Sequence, residues 1–106
     1  MGKYFFKASL SPEGVVGVQS EGGTARRDVV KKAIESLGGS MESFYFAFGE
    51  DDVLVTCELP DNETAAALAM EISASGRVST STTVLITPEE MDRARDKKSS
   101  WRAPGA

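Results

Sequence analysis

Four short stretches of this chain have the apolar and β-branched content of strands, and segments of helical character lie between and after them. "KYFFKASL", Lys3 to Leu10, has the aromatic content of a first strand. In "SPEGVVGVQSEGG", Pro12 stands at a helix start, but the glycines predict only a short helix within a loop. Thr24 is expected to cap a helix from Ala25 to Leu37, with Val30, Ala33, Ile34 and Leu37 on one face and Gly38 and Gly39 ending it. A second strand, Met41 to Phe48, and a third, Val53 to Leu59, flank "GEDD", and Pro60 stops the third. Asp61 caps the alanine-rich "NETAAALAMEISAS", which Gly76 closes. "RVSTSTTVLI", Arg77 to Ile86, is a fourth strand rich in β-branched residues. Thr87 at N-cap, Pro88 at N1 and Glu90 at N3 then start a short last helix, followed by the tail "SSWRAPGA".

The order β-α-β-β-α-β predicts an α+β, ferredoxin-like domain, a four-stranded antiparallel sheet with two helices on one face plus a C-terminal helix. Residues 1–86 are expected to form this domain. Residues 87–106 add a short helix and tail, expected to pack on the same domain or on a partner.

Alternation places Phe44, Phe46 and Phe48 on one face of the second strand, and Met41, Tyr45 and Ala47 on the other. Phe5 opposes Tyr4 and Phe6, while Val53, Val55, Cys57 and Leu59 oppose Leu54 and Thr56. Two helices shelter one face only, and aromatics on both faces predict a partner for the other. The expected partner is a second copy, packed sheet to sheet as a dimeric α/β barrel or a higher homo-oligomer. The competing arrangement is a monomer whose C-terminal helix folds back over the sheet. Trp101, isolated in a polar tail, is expected to anchor that tail on its own subunit or the partner.

Composition narrows the function classes. With 106 residues, 41% hydrophobic and 26% charged, the chain fits one soluble globular domain. A net charge of −4 argues against general nucleic-acid binding. No apolar run approaches the roughly 20 residues that span a bilayer, so no membrane partner is expected. The first residues, "MGKYFFKASLSPEG", lack the apolar stretch of a secretory leader. Lone Cys57 excludes an internal disulfide and, with the missing leader, predicts a reducing cytoplasm. The absence of histidine removes Ser-His-Asp and Cys-His catalysis and histidine-ligated haem or zinc. No P-loop or dinucleotide fingerprint occurs, and no cofactor is expected.

The chemistry left is that of carboxylate, arginine, lysine, tyrosine and hydroxyl groups. Taking the C-terminal end of the first strand as the top, five pieces of sequence converge there. They are the Ser11–Gly23 loop, the start of the first helix, the "GEDD" hairpin, the end of the second helix and Arg77. Arg26 and Arg27 stand in a first helical turn, where the helix dipole disfavours cations. One of them is expected to pair with Asp51 or Asp52 across the rim. The alternative is that "GGTARR" cradles a small anionic ligand, a carboxylate or a phosphate. Glu50, Asp51 and Asp52 cannot all aim at one ion from so short a hairpin, so a turn is expected there and no metal. The candidate ligand-binding residues are therefore Arg26, Arg27, Asp51, Asp52 and Arg77, with Tyr45 and Glu58 as the groups to inspect for acid–base chemistry. Tyr4 and Cys57 are expected in packing roles.

The run "ESFYFAFGEDDVLVTCELPDNETAAALAMEIS", followed by "GRVSTSTTVLITPEE" and preceded by "EGGTARRDVVKKAIESLGG", resembles the GYD-domain proteins over nearly the whole chain. Gly49 and Asp52 hold matching positions of the motif that names the family. Asp51 stands where the family has its tyrosine, so no role of that phenol carries over. The resemblance implies a small bacterial, cytoplasmic protein with a ferredoxin-like, dimeric α/β-barrel fold, and no particular reaction. The function expected is a homo-oligomeric module that binds a small molecule or regulates by doing so. The alternatives are a cofactor-free enzyme of monooxygenase or isomerase type, with Tyr45 or Glu58 in an apolar cleft, and a structural partner acting through the tail.

Overall fold

A computed structural model describes all residues from Met1 to Ala106. Its elements are β1 (Gly2–Leu10), α1 (Pro12–Glu21), α2 (Gly23–Ser36), β2 (Ser40–Phe46), β3 (Val53–Leu59), α3 (Asn62–Ala74), β4 (Val78–Leu85) and α4 (Pro88–Arg95). The strands form one antiparallel sheet in the order β2-β3-β1-β4, with β1 central between β3 and β4. This is the ferredoxin-like βαββαβ arrangement, with its first helical segment in two pieces and α4 appended.

The region expected to be mostly loop is the helix α1. The Ser11 hydroxyl accepts the Gly14 N–H at 3.1 Å, and Pro12 at the first helical position presets its backbone. Gly22, at φ 88°, ends α1 and stands directly before α2, so Thr24 lies inside α2 instead of capping it. At the other end of α2, Gly38 (φ 83°) directs its N–H to Glu35 and Gly39 directs its own to Ile34, satisfying two carbonyls of the last turn. Asp61 accepts the Thr64 N–H at 2.8 Å to start α3, and Thr87 and Glu90 form a reciprocal capping box on α4.

The helix-facing side of the sheet carries the core. Tyr4, Phe6, Val53, Val55, Cys57 and Leu59 pack against Ile34 of α2 and Ala65 and Leu68 of α3. The Tyr4 hydroxyl donates to Asn62 Oδ1 at 2.6 Å, so burying this ring strands no polar group.

Strict alternation fails once. The β2–β3 register shifts between Met41 and Ser43, which inserts Glu42 as an extra residue. Met41 pairs with core-facing Cys57 and packs against the core, so it shares a face with Phe44 instead of Tyr45. Phe48 lies beyond the end of β2, fully exposed, because the strand stops at Phe46.

The opposite face of the sheet carries Phe5, Tyr45, Leu54 and Leu85 among hydroxyl side chains. It also carries Lys3, which pairs with Glu42 at 2.9 Å and Glu58 at 3.1 Å. Every residue from Pro88 to Ala106 is exposed. The radius of gyration is 17.0 Å and the extents are 58 × 32 × 23 Å. A compact chain of this length has a radius of about 13 Å; the C-terminal arm stands off the body.

Candidate functional site

The upper half of the helix-facing side holds an apolar slot of about 90 Å³. Its floor is the sheet, through Phe6, Ala8, Phe44, Phe46, Val53 and Val55; α2 contributes Val30, and α3 contributes Leu68 and Ile72. Val18 of α1 closes it from above. Twelve of its fourteen lining residues are apolar, the exceptions being Thr80 and Arg26. Arg26 is the slot's single charged group.

Arg26 also lines an adjoining polar vestibule of about 220 Å³, together with Glu13, Glu21, Arg77 and Val78. Leu10, Val18, Arg26 and Val78 line both spaces, so the greasy slot and the charged vestibule adjoin across these four residues. The local folding of α1 makes the mouth. The Ser11 N–H donates to the Arg77 carbonyl at 2.8 Å, and a Cβ on Gly14 would come within 2.5 Å of that oxygen. Glycine at this position lets α1 lie directly on the start of β4. The same contact fixes the backbone of Arg77, a residue that lines the vestibule.

The candidate residues divide sharply. Arg26 and Arg77 come together at the vestibule. Arg26 meets Glu21 at 3.5 Å, and Arg27 turns to its neighbour Asp28 at 3.2 Å. Neither reaches Asp51 or Asp52, which corrects the expected pairing across the rim. The reason is that Asp52 is already engaged: its carboxylate accepts the Leu10 N–H at 2.8 Å, its own N–H donates to Ala8, and its carbonyl accepts from Ala47. Asp52 pins the hairpin to β1. No three acidic or cysteine side chains converge in metal-ligand fashion.

Tyr45 projects from the open face, 68% exposed, and Glu58 is paired with Lys3 on that face. Within the single chain neither lies in an apolar cleft. Glu42 and Glu58 raise the pKa of Lys3 through their hydrogen bonds and charge. Cys57 is fully buried, and burial, with a smaller contribution from the charge of Glu42, pushes its thiol up to about 11. It is an inert core thiol.

Sequence reasoning missed Val18 and Glu21 because the glycines of this segment predict only a short helix within a loop. The signal was nonetheless present. "SPE" at Ser11–Glu13 has the same cap-then-proline form as "TPE" at Thr87–Glu89.

The family model of the GYD domain matches residues 4–94, from the third residue of β1 to the last but one of α4. No curated protein and no solved structure matches the chain. No helix is long and apolar enough to cross a membrane.

Proposed function

The chain belongs to the GYD domain family, and from that premise we propose that it is a self-associating module that binds a small molecule in the slot beneath its helices. The observation that carries the reading is an almost wholly apolar cavity that shares a wall, including Arg26, with a charged vestibule. Concave, mostly apolar clefts with a few polar groups at the edge are where small ligands bind. The lining offers no carboxylate, phenol or thiol, so what it supplies is shape, apolar surface and one guanidinium. Those groups suit binding, and nothing in the slot favours a reaction.

Self-association is supported by the open face. Phe5, Tyr45, Leu54 and Leu85 lie on a sheet surface that no helix of the same chain covers, and Trp101 stands 76% exposed on the arm. Two such faces packed together form the dimeric α/β barrel, with the arm free to reach its partner. The buried unpaired cysteine suits the reducing cytoplasm of a bacterium.

Two measurements test the reading. Light scattering at micromolar concentration should give twice the chain mass of 11.3 kDa, returning to the chain mass in Leu54→Arg; a wild-type monomer ends the self-association reading. Toluene should raise the melting temperature of the wild type and leave that of Val30→Phe, whose larger side chain fills the slot, unchanged. Equal shifts in both proteins end the slot reading.

A further inference from the structure

The slot and its mouth differ in chemistry, and together they specify two parts of one ligand. The slot is smaller than the roughly 300 Å³ lower bound of drug-sized sites. It suits one ring or a short branched alkyl group. Arg26, shared with the slot, and Arg77 both line the mouth. Arg77 forms no ion pair, and its backbone is fixed against α1 through Ser11 and Gly14. Arg26 has only Glu21, at 3.5 Å and with both side chains substantially exposed. An exposed pair this long contributes little. A carboxylate that meets guanidinium groups through short, paired N–H donors is held far better.

We propose that the ligand is a small monocarboxylic acid with a compact aryl or branched-alkyl body. The body occupies the slot, and the carboxylate takes the place of Glu21 on Arg26, within reach of Arg77. This rests on the reading of the slot as a small-molecule site and adds the identity of the head group. Glu13 and Glu21 in the vestibule wall set the charge of the ligand. They repel a dianion such as phosphate more than a monoanion. Glu21 is then an internal competitor, and neutralising it strengthens binding.

The experiment is calorimetric titration of the full chain with phenylacetate, with its neutral isostere phenylacetamide and with inorganic phosphate. The same titrations are run on Arg26→Gln, Arg77→Gln, Glu21→Gln and Val30→Phe, with urea midpoints confirming that each variant folds. Phenylacetate is expected to bind at least tenfold tighter than the amide. Arg26→Gln should abolish that preference, Arg77→Gln should reduce it, and Glu21→Gln should tighten the acid several-fold without changing the amide. Acid and amide binding equally, both lost in Val30→Phe, would overturn the head-group assignment and leave the slot reading standing. Phosphate binding as tightly as phenylacetate would overturn the apolar-body assignment. No binding of acid or amide to wild type or Glu21→Gln overturns both readings.

Discussion

The carboxylate of Asp52 accepts the backbone N–H of Leu10 at 2.8 Å, joining the β2–β3 hairpin to the last residue of the central strand. The acidic hairpin is thereby a fastening. It holds β1, β2 and β3 together at the end of the sheet where the slot opens, and Phe46, at the end of β2, stays against the start of α2 at Gly23.

Asp52→Ala leaves the Leu10 N–H without its acceptor. The expected loss is about 1–3 kcal/mol in urea unfolding, the usual cost of orphaning a part-buried backbone donor. Asp51→Ala, at a residue that takes part in no ion pair, should stay within about 0.5 kcal/mol of wild type. Equal effects of the two substitutions would contradict the fastening role.

Two glycines of the same helix should respond with opposite signs. At Gly14 an added Cβ meets the Arg77 carbonyl oxygen at 2.5 Å, so Gly14→Ala must push α1 off β4 and should cost about 1–3 kcal/mol. At Gly17 nothing lies within 4 Å, and Gly17→Ala should stabilise by about 0.4–1 kcal/mol through the unfolded chain. Thermal midpoints of the two variants decide it.

Cys57 should be unreactive towards a disulfide reagent at neutral pH until the protein unfolds, then react at once. Its thiol is raised from an ordinary 9.0 to about 11, chiefly by burial. The folded state therefore holds this proton more tightly than the unfolded one. The resulting stability is complete below 9.0 and is lost as the pH rises towards about 11. A labelling rate in native buffer equal to that of a free thiol would rule out the buried placement.

On the acid side two helix caps should weaken. Asp61 is held below its ordinary 3.8 by hydrogen bonds from the Thr64 hydroxyl and then its N–H. Glu90 is held below its ordinary 4.5, first by the Thr87 N–H. For a depressed carboxyl the contribution is present above the ordinary value and disappears as the pH falls through the lower folded one. In an NMR titration the Thr64 and Thr87 amides should shift with midpoints below 3.8 and 4.5 respectively. Because α4 buries no residue, loss of its cap should leave the amide signals of the body unchanged.

The element order, the core face of β3 and the caps at Asp61 and Thr87 were legible in the sequence because each is decided within a few residues. Alternation sets a strand face, and an oxygen three residues before an N–H sets a helix start. The family resemblance was legible for the same reason, being carried by contiguous motifs. Tertiary structure alone decided the rest. One inserted residue, Glu42, reversed the face of Met41, and no local pattern announces where a partner strand will bulge. The glycines of α1 counted against a helix in isolation, yet Gly14 is what lets that helix touch β4. Asp52 went to a backbone donor distant in sequence, which left Arg26 and Arg77 to meet at a mouth lined by four separate elements. Short-range hydrogen bonds are written in neighbouring residues. Cavities and charge pairings depend on how distant segments approach, and that becomes definite only when the layers pack.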